Sequence, residues 1–556
     1  MTSSTENRAR NTRATFNTRL VFLMAAIGSA VGLGNIWRFP YVAYDNGGGA
    51  FLIPYLVALL TAGIPLLWFD LAFGHRFRGS APLAFRRLNR YAEPIGWFKA
   101  GVNFFIAIYY AAIIAWALLY TIKSINKAWG TSPDTHFSKE FLRADTGSVF
   151  SGEFVVPVLI TMVIVWIICI LALATDINKG IGKVSSLFIP VLLVLFLILV
   201  VRALFLDGAL EGLNAFFTPN WSALSNPSVW IAAYSQIFFS LSIGFGIMIT
   251  YASYLKPRTN LTNTGMVTAF ANSSFEVLAG IGVFAVLGFM AQQQGVPVSE
   301  TVSSGIGLAF VAFPTIINEM PFGEVFGVFF FGSLFLAGVT SLISIMEVVI
   351  SAVADKFDLT RRTAALAAGS VMAVISCILF SVTSGLATLD IVDKFTNNLG
   401  IVIGAVAAVL TTGWILGRRN EMEQHINAVS SVRVGPVWQA CVFVITPLVL
   451  IYFLAKEIMT LIDEPYEGYS SGQLLAYGWG AVALIFVASI VFSLLAYRGN
   501  NYLNGLATSD FGVPIKGRKR GEPNLLVAAA QGAGAASAAE AGTADADSSN
   551  APTPKN

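Results

Sequence analysis

A cluster of glycines inside the first apolar run is the feature that most restricts how this chain can fold. The run begins near Leu20 and resumes at Tyr41, which is long enough to cross a lipid bilayer. Three glycines fall within seven residues at its middle, Gly28, Gly32 and Gly34. Glycine in a helix interior is about 1 kcal/mol less favourable than alanine. Irregular backbone is tolerated in a membrane only where it is buried in protein or lines a cavity. The cluster therefore predicts a helix that breaks at membrane depth beside an internal site.

The alternative interpretation is close packing of two helices through small residues, which requires no site. Asn35 and Arg38 favour the broken helix, because an amide and a charged side chain in or near a spanning segment ordinarily mark a functional pathway. A second interruption, from Gln236 to Gly246, combines polar residues and glycines within the sixth apolar run. Two interrupted spans that lie five apart predict a unit of five helices used twice in inverted orientation, with a binding site near the membrane midplane.

The composition supports an integral membrane protein. Hydrophobic residues make up 56% of the chain and charged residues only 12%. The net charge of +3 is too small to indicate a nucleic-acid partner. The cysteines lie in apolar runs and the histidines lie far apart in the sequence, so we expect neither a disulfide framework nor a metal centre. The sequence also lacks a P-loop and a recognisable grouping of nucleophile, base and orienting residue, so we expect no cofactor and no enzymatic activity.

We predict twelve membrane spans in an all-α integral membrane fold. They lie near 18–44, 48–76, 97–123, 153–175, 181–206, 228–255, 261–291, 325–354, 361–383, 389–416, 435–461 and 473–498. Lys and Arg are concentrated before the first span and in the loops after the even-numbered spans, which predicts that both termini are cytoplasmic. The external connection 292–324 contains a short apolar run, 305–314, that we expect to dip toward the external mouth as a lid.

These spans predict a linear organisation. A cytoplasmic segment, 1–17, precedes the first five-helix repeat, 18–206. An external connection, 207–227, leads to the second repeat, 228–416, and helices 11 and 12 occupy 435–498. The remainder, 499–556, is a predicted cytoplasmic tail. From about residue 521 it is rich in Ala, Gly, Ser and Pro, which predicts disorder.

Six stretches are distinctive in sequence and in position along the chain, namely 28–40, 46–51, 107–110, 236–246, 251–254 and 337–341. Together they resemble the neurotransmitter:sodium symporter family, and in particular its bacterial amino-acid transporters. The resemblance covers about residues 13–500. It implies the leucine-transporter-like fold, with twelve transmembrane helices, a 5+5 inverted repeat and interrupted helices 1 and 6. It also implies a multi-pass protein of the bacterial cytoplasmic membrane.

The resemblance implies two sodium sites. The first set is Ala30, Asn35, Ser240 and Asn272, together with the substrate carboxylate. The second set is Gly28, Val31, Ala337, Thr340 and Ser341. Neutral oxygens suit a monovalent cation, because they can replace its hydration shell without the charge density that favours divalent ions. For isolated Ser and Thr, the alternative is a bond to a carbonyl one turn earlier in the same helix.

The resemblance also implies the substrate pocket. Its residues are Ser29, Ala30, Leu33, Gly34, Ile106, Tyr110, Phe239, Ser240, Ser242, Phe245, Ser341 and Ile345. Tyr110 and the amides near Leu33 and Gly34 are expected to bind a carboxylate. Carbonyls near Ala30 and Phe239 are expected to bind an ammonium. For the aromatic residues, ordinary core packing is the alternative. Monoamine transporters of the family carry an aspartate at the position of Gly32, so glycine indicates an amino acid. The aliphatic lining indicates methionine, alanine or leucine-sized substrates.

Three further roles follow from the resemblance. Glu276 stands where chloride-dependent relatives carry a smaller neutral residue, which implies chloride independence and a site for a proton on the return step. The alternative is that Glu276 has only a structural role and bonds to neighbouring hydroxyls. Arg38 and Asp393 match an external gate pair, and Arg13 and Asp355 an internal one, with Phe16, Ser253 and Tyr254 close by. Either pair could instead be a static contact. Ser29, Phe16 and Asp70 depart from the asparagine, tryptophan and glutamate of the best-known bacterial member.

The sequence therefore predicts a symporter that couples sodium, with two ions expected, to uptake of neutral hydrophobic amino acids across the bilayer by alternating access. The sequence leaves open whether a small accessory membrane subunit is a further partner. A sodium-dependent membrane sensor and a channel-like protein are the rival interpretations. Scattered, single-copy site residues count against a channel, which ordinarily needs a continuous filter.

Overall fold

The computed structural model describes residues 14–302 and 305–498. Arg13, the start of the predicted N-terminal segment and the predicted tail lie outside the described residues. Within these ranges the regular secondary structure is helical, apart from isolated β-bridges at Gly48–Pro219 and Phe154–Val382. The main helices are α1 Arg19–Ala30, α2 Leu33–Asp45, α3 Gly49–Phe77, α4 Ala81–Leu88, α5 Arg90–Asn126, α6 Val156–Leu173, α7 Asn178–Leu204, α8 Ala209–Phe217, α9 Pro227–Ser240, α10 Ile247–Ala252, α11 Leu261–Gln294, α12 Gly305–Glu319, α13 Gly323–Phe357, α14 Arg361–Phe380, α15 Gly385–Ile415, α16 Arg419–Val429, α17 Pro436–Gly468 and α18 Ser471–Leu494.

The predicted multi-pass helical membrane protein is confirmed. Ten of the described helices are long and apolar enough to cross a membrane, and α1 with α2 forms an eleventh candidate span bent by 53°. The predicted span 228–255 corresponds to α9 and α10, which are 14 and 6 residues long. A count of twelve spans and the inverted repeat remain predictions.

The first break lies where the glycine cluster predicts it. Val31 and Gly32 adopt extended backbone between α1 and α2. The side-chain Oδ1 of Asn35 accepts a hydrogen bond from the Gly32 amide at 2.9 Å. Because the first amides of a helix lack partners within it, this bond caps the start of α2. The asparagine thus stabilises the break that the glycines permit.

The second break separates α9 from α10 over residues 241–246. Gly244 and Gly246 have φ of 86° and 88°, and Ser242 has φ of 52°. Residues other than glycine seldom adopt positive φ, so the two glycines make this irregular path accessible. The two breaks face one another, since the Ser242 hydroxyl donates to the carbonyl of Ser29 at 3.1 Å.

A long helix pair supports the breaks. α5 packs along α13, and a Cβ added at Gly338 would lie 2.6 Å from the side chain of Ile114. Glycine therefore permits the close approach of these two helices. Apolar side chains on the outer helices remain exposed, among them Leu187 on α7, Val371 on α14 and Ile490 on α18. An apolar rim around a packed interior suits contact with lipid.

Candidate functional site

A cavity of about 630 Å³ lies between the two breaks. All twelve residues of the predicted substrate pocket line it, namely Ser29, Ala30, Leu33, Gly34, Ile106, Tyr110, Phe239, Ser240, Ser242, Phe245, Ser341 and Ile345. The cavity extends to Gly305–Gly307 on α12 and to Tyr466 and Glu467, which belong to the predicted external side. The apolar run in the connection 292–324 thus forms a helix whose start lines the mouth of the cavity.

One amide freed at the first break points toward the phenol of Tyr110. The Leu33 amide donates to the hydroxyl oxygen of Tyr110 at 3.3 Å. A Cβ added at Gly32 would lie 3.0 Å from Ser341 Oγ and 3.2 Å from the Tyr110 hydroxyl. The space beside these donors therefore exists because residue 32 has no side chain. The start of α2 also carries the positive end of a helix dipole, so this corner suits an anionic group.

The remainder of the cavity wall is largely apolar. Ile106, Phe245 and Ile345 are buried and line it. The Phe239 ring lies against Gly34, where an added Cβ would be 2.3 Å from the ring. The guanidinium of Arg38 covers Phe239 at 4.4 Å from its centroid, a cation–π contact. An anion-binding corner next to apolar walls suits a small molecule with a carboxylate and an uncharged side chain.

The first predicted cation set comes together at the breaks. Asn35 Nδ2 donates to Asn272 Oδ1 at 2.8 Å, and Asn272 Nδ2 donates to Ser240 Oγ at 3.1 Å. Ala30 lines the cavity together with Asn35 and Ser240. Two carboxamides and a hydroxyl from α2, α9 and α11 thus meet beside the cavity, although they lie up to 237 residues apart in sequence.

The second predicted set joins the end of α1 to α13. The Ser341 hydroxyl donates to the carbonyl of Gly28 at 3.3 Å, and the Thr340 hydroxyl donates to that of Ala337 at 2.9 Å. A Cβ added at Gly28 would lie 3.3 Å from that of Thr340. Val31 ends α1 in extended conformation, outside the regular helix. The set therefore combines two hydroxyls with carbonyls from the end of α1 and from the interior of α13.

Glu276 is completely buried on α11 and surrounded by donors. Gln236 Nε2 donates to Glu276 Oε1 at 2.6 Å, and the Tyr55 hydroxyl bonds to Oε2. Ser273 shares a bond with the same Tyr55 hydroxyl at 2.8 Å. Sequence reasoning missed Tyr55 and did not connect Gln236 with Glu276. These groups form a buried anion-binding nest in which the carboxylate supplies the negative charge.

The gate residues take different partners. Arg38 and Asp393 both line the cavity, where Arg38 donates to Ser235 Oγ at 3.3 Å and Asp393 accepts from Asn397 at 2.7 Å. Asp355 accepts from the Ser80 amide at 2.8 Å. The pairing of Arg38 with Asp393, and that of Arg13 with Asp355, remain predictions.

The side opposite the mouth is packed. The buried Phe16 ring contacts Phe22, Tyr251 and Tyr254 edge to face, with centroid distances of 5.5, 6.1 and 6.2 Å. Its amide donates to the carbonyl of Tyr254 at 3.0 Å. Residues before α1 thus cover α10 on the predicted cytoplasmic side. The cavity is consequently accessible from the other side.

The chain is similar to known sodium-dependent transporters. The profile of the Sodium:neurotransmitter symporter family matches residues 13–138 and 129–498. An uncharacterized sodium-dependent transporter of Methanocaldococcus jannaschii is 40% identical over 480 residues, covering 86% of this chain and 97% of that protein. The sodium-dependent neutral amino acid transporter B(0)AT3 of Mus musculus is 31% identical, covering 86% and 91%. The sodium- and chloride-dependent GABA transporter 2 of Homo sapiens is 29% identical, covering 85% and 83%.

Proposed function

From the premise that this chain belongs to the sodium:neurotransmitter symporter family, we propose that it imports neutral, mainly aliphatic amino acids together with sodium. The single observation that carries the proposal is the cavity, in which an anion-binding corner adjoins apolar walls and the side-chain oxygens of Asn35, Ser240 and Ser341. Methionine, alanine and leucine-sized molecules are the proposed substrates. One methylene more or less changes binding in such pockets by only about 1–3 kcal/mol, so we propose a class of substrates.

The substrate lies across the first break in this proposal. Its carboxylate binds the amides near Leu33 and Gly34 and the Tyr110 hydroxyl. Its ammonium binds carbonyls near Ala30 and Phe239. Its side chain points toward Ile106, Phe245 and Ile345. The relative from Mus musculus whose name states neutral amino acid transport supports this substrate class.

Two sodium ions are the proposed coupling ions. The set around Asn35 and Asn272 lies beside the cavity, so an ion there attracts the substrate carboxylate directly. The set around Thr340 joins α1 to α13, so an ion there stabilises one relative position of the two helices. Each ion thereby favours the conformation that also binds substrate, so the binding free energies of sodium and of substrate are coupled.

Transport then proceeds by alternating access. We propose that the cavity mouth faces the outside of a bacterial cytoplasmic membrane and that both termini are cytoplasmic. Closure brings Phe239 and Tyr110 over the substrate and Arg38 toward Asp393. The packing of Phe16 on α10 must then separate to release substrate inward. Arg38 and Asp393 both line the open cavity, and an ion pair in contact with water contributes only about 0–1 kcal/mol, which suits a gate that opens in every cycle.

Proteoliposome uptake tests the proposal. Labelled methionine, alanine and leucine are offered with an inward gradient of sodium or of potassium. We expect saturable accumulation with sodium only. Uptake without sodium contradicts the proposal that the two oxygen sets bind sodium. Unsaturable flux indicates a channel. Sodium-dependent binding without accumulation indicates a sensor.

Tyr110→Phe is expected to raise the KM for amino acid about tenfold or more while Vmax changes little. The substitution keeps the ring and removes a hydrogen bond to a charged group, an interaction of about 1.5–3 kcal/mol. The matched control is Tyr120→Phe on the same helix. The buried Tyr120 hydroxyl has no hydrogen-bond partner within the described residues. An unchanged KM in Tyr110→Phe argues against the carboxylate corner.

A further inference from the structure

Two buried charges near the second break have no part in the proposed site. Asp70 on α3 is 2% exposed and Lys99 on α5 is 1% exposed. Neither lines the cavity. A charged side chain inside the membrane is unfavourable unless it has partners, and such residues by default mark function. Lys99 stands out in the sequence, because it is a cation near the start of a long apolar run.

Both charges bind the backbone of one residue, Gly244, Lys99 at its carbonyl and Asp70 at its amide. Lys99 Nζ donates to the Gly244 carbonyl at 2.5 Å. Asp70 Oδ2 accepts from the Gly244 amide at 3.4 Å and interacts electrostatically with Lys99. One turn farther along α5, Asn103 Nδ2 donates to the Phe245 carbonyl at 2.6 Å. Side chains of α3 and α5 thus replace the hydrogen bonds that the broken helix lacks.

The bound segment forms part of the cavity wall. Ser242 and Phe245, on either side of Gly244, both line the cavity. Gly244 itself lies against α15, where an added Cβ would be 2.9 Å from the Cβ of Ala405. Gly244, with its positive φ and its held carbonyl, thus lies between two side chains of the cavity wall. Lys99 contacts the backbone of this wall without lining the cavity itself.

We propose that Lys99 is a positioning residue for substrate binding, a tethered cation that holds the Gly244 carbonyl and thereby fixes the wall formed by Ser242 and Phe245. Asp70 completes the arrangement by balancing the charge and holding the amide. A carbonyl that a helix break leaves without a partner suits a cation, and Lys99 provides one that never dissociates. The inference rests on the proposed function only for its uptake measurement.

The alternative is that Lys99 only neutralises Asp70, and a set of three variants separates the two roles. Lys99→Met and Asp70→Asn each leave one buried charge unpaired, so each is expected to lower the melting temperature by about 3–4 °C. The double variant removes both charges and is expected to recover most of this loss. Its KM for amino acid is nevertheless expected to stay at least about tenfold above that of the unmodified protein, because Gly244 has lost its donor.

Lys123→Met is the matched control, since Lys123 lies on the same helix and its ammonium is 5.8 Å from the Phe141 ring centroid. We expect it to transport normally. A double variant with both the melting temperature and the KM of the unmodified protein overturns the proposal. In that outcome the pair serves only to neutralise its own charges.

A second measurement does not depend on knowing the substrate. Cys169, Cys377 and Cys441 are replaced by alanine and Phe245 by cysteine, which then reports on the cavity wall. The rate of its reaction with a membrane-impermeant methanethiosulfonate is expected to change about fivefold or more when the double substitution is added. An unchanged rate overturns the role of Lys99. Absence of amino acid uptake by the unmodified protein contradicts the proposed function instead, and leaves this measurement valid.

Discussion

Glu276→Ser is expected to make amino acid uptake depend on chloride. The family resemblance implies that Glu276 takes the place of chloride, and we propose that its carboxylate offsets the charge of a sodium ion bound near Asn272, one turn earlier on α11. Serine removes that charge and leaves space. The donors that surround Glu276, from Gln236 and Tyr55, then face a vacant anion site. Chloride can fill it, because an anion held by several donors in a buried site is strongly stabilised.

Uptake with chloride is compared with uptake in gluconate to test this expectation. We expect chloride to stimulate the serine variant about tenfold or more and to leave the unmodified protein unaffected. Glu276→Gln serves as the control for size, since it removes the charge but fills the space. It is expected to transport poorly with either anion. Chloride-independent transport at normal rate by the serine and glutamine variants contradicts the role given to Glu276.

The two breaks illustrate how much of the fold the sequence predicts. Glycine acts on its own backbone, so the position of the first break at Gly32 follows from local sequence. The second break occupies 241–246, inside the predicted interruption from Gln236 to Gly246. Helix ends are less determined. The seventh predicted span ends at 291, whereas α11 continues to Gln294, because the apolar pattern stops before the glutamines that complete the helix.

The site shows what sequence alone does not provide. Its twelve cavity residues follow from a family resemblance, since no local pattern connects Ser29 with Ile345. Tyr55 was missed because a tyrosine in an apolar run looks like core packing until Glu276 lies beside it. Lys99 could have been singled out from the sequence, because it is a charged residue within a predicted span. Its partner could not be predicted, because the partner is a backbone carbonyl and every residue has one.

Gly32→Asp is expected to reduce uptake of neutral amino acids about a hundredfold or more. Gly32 has φ of −133°, which every residue adopts, so the effect of a side chain depends on space and charge. An added Cβ would lie 3.0 Å from Ser341 Oγ, in the proposed carboxylate corner. A second carboxylate there repels that of the substrate, and opposed like charges in a buried site are unfavourable by several kcal/mol.

The neutral isostere Gly32→Asn separates charge from space. We expect the asparagine variant to lose only part of its affinity, because it crowds the corner without repelling an anion. Sodium-dependent thermal stabilisation by leucine, and by 3-methylbutylamine, its analogue without the carboxylate, provides the measurement. Leucine is expected to stabilise the unmodified protein and the amine to stabilise the aspartate variant, in which residue 32 supplies the missing charge. If both variants lose stabilisation by leucine equally and the amine stabilises neither of them, Gly32 provides space alone. The carboxylate of the substrate then binds elsewhere in the cavity.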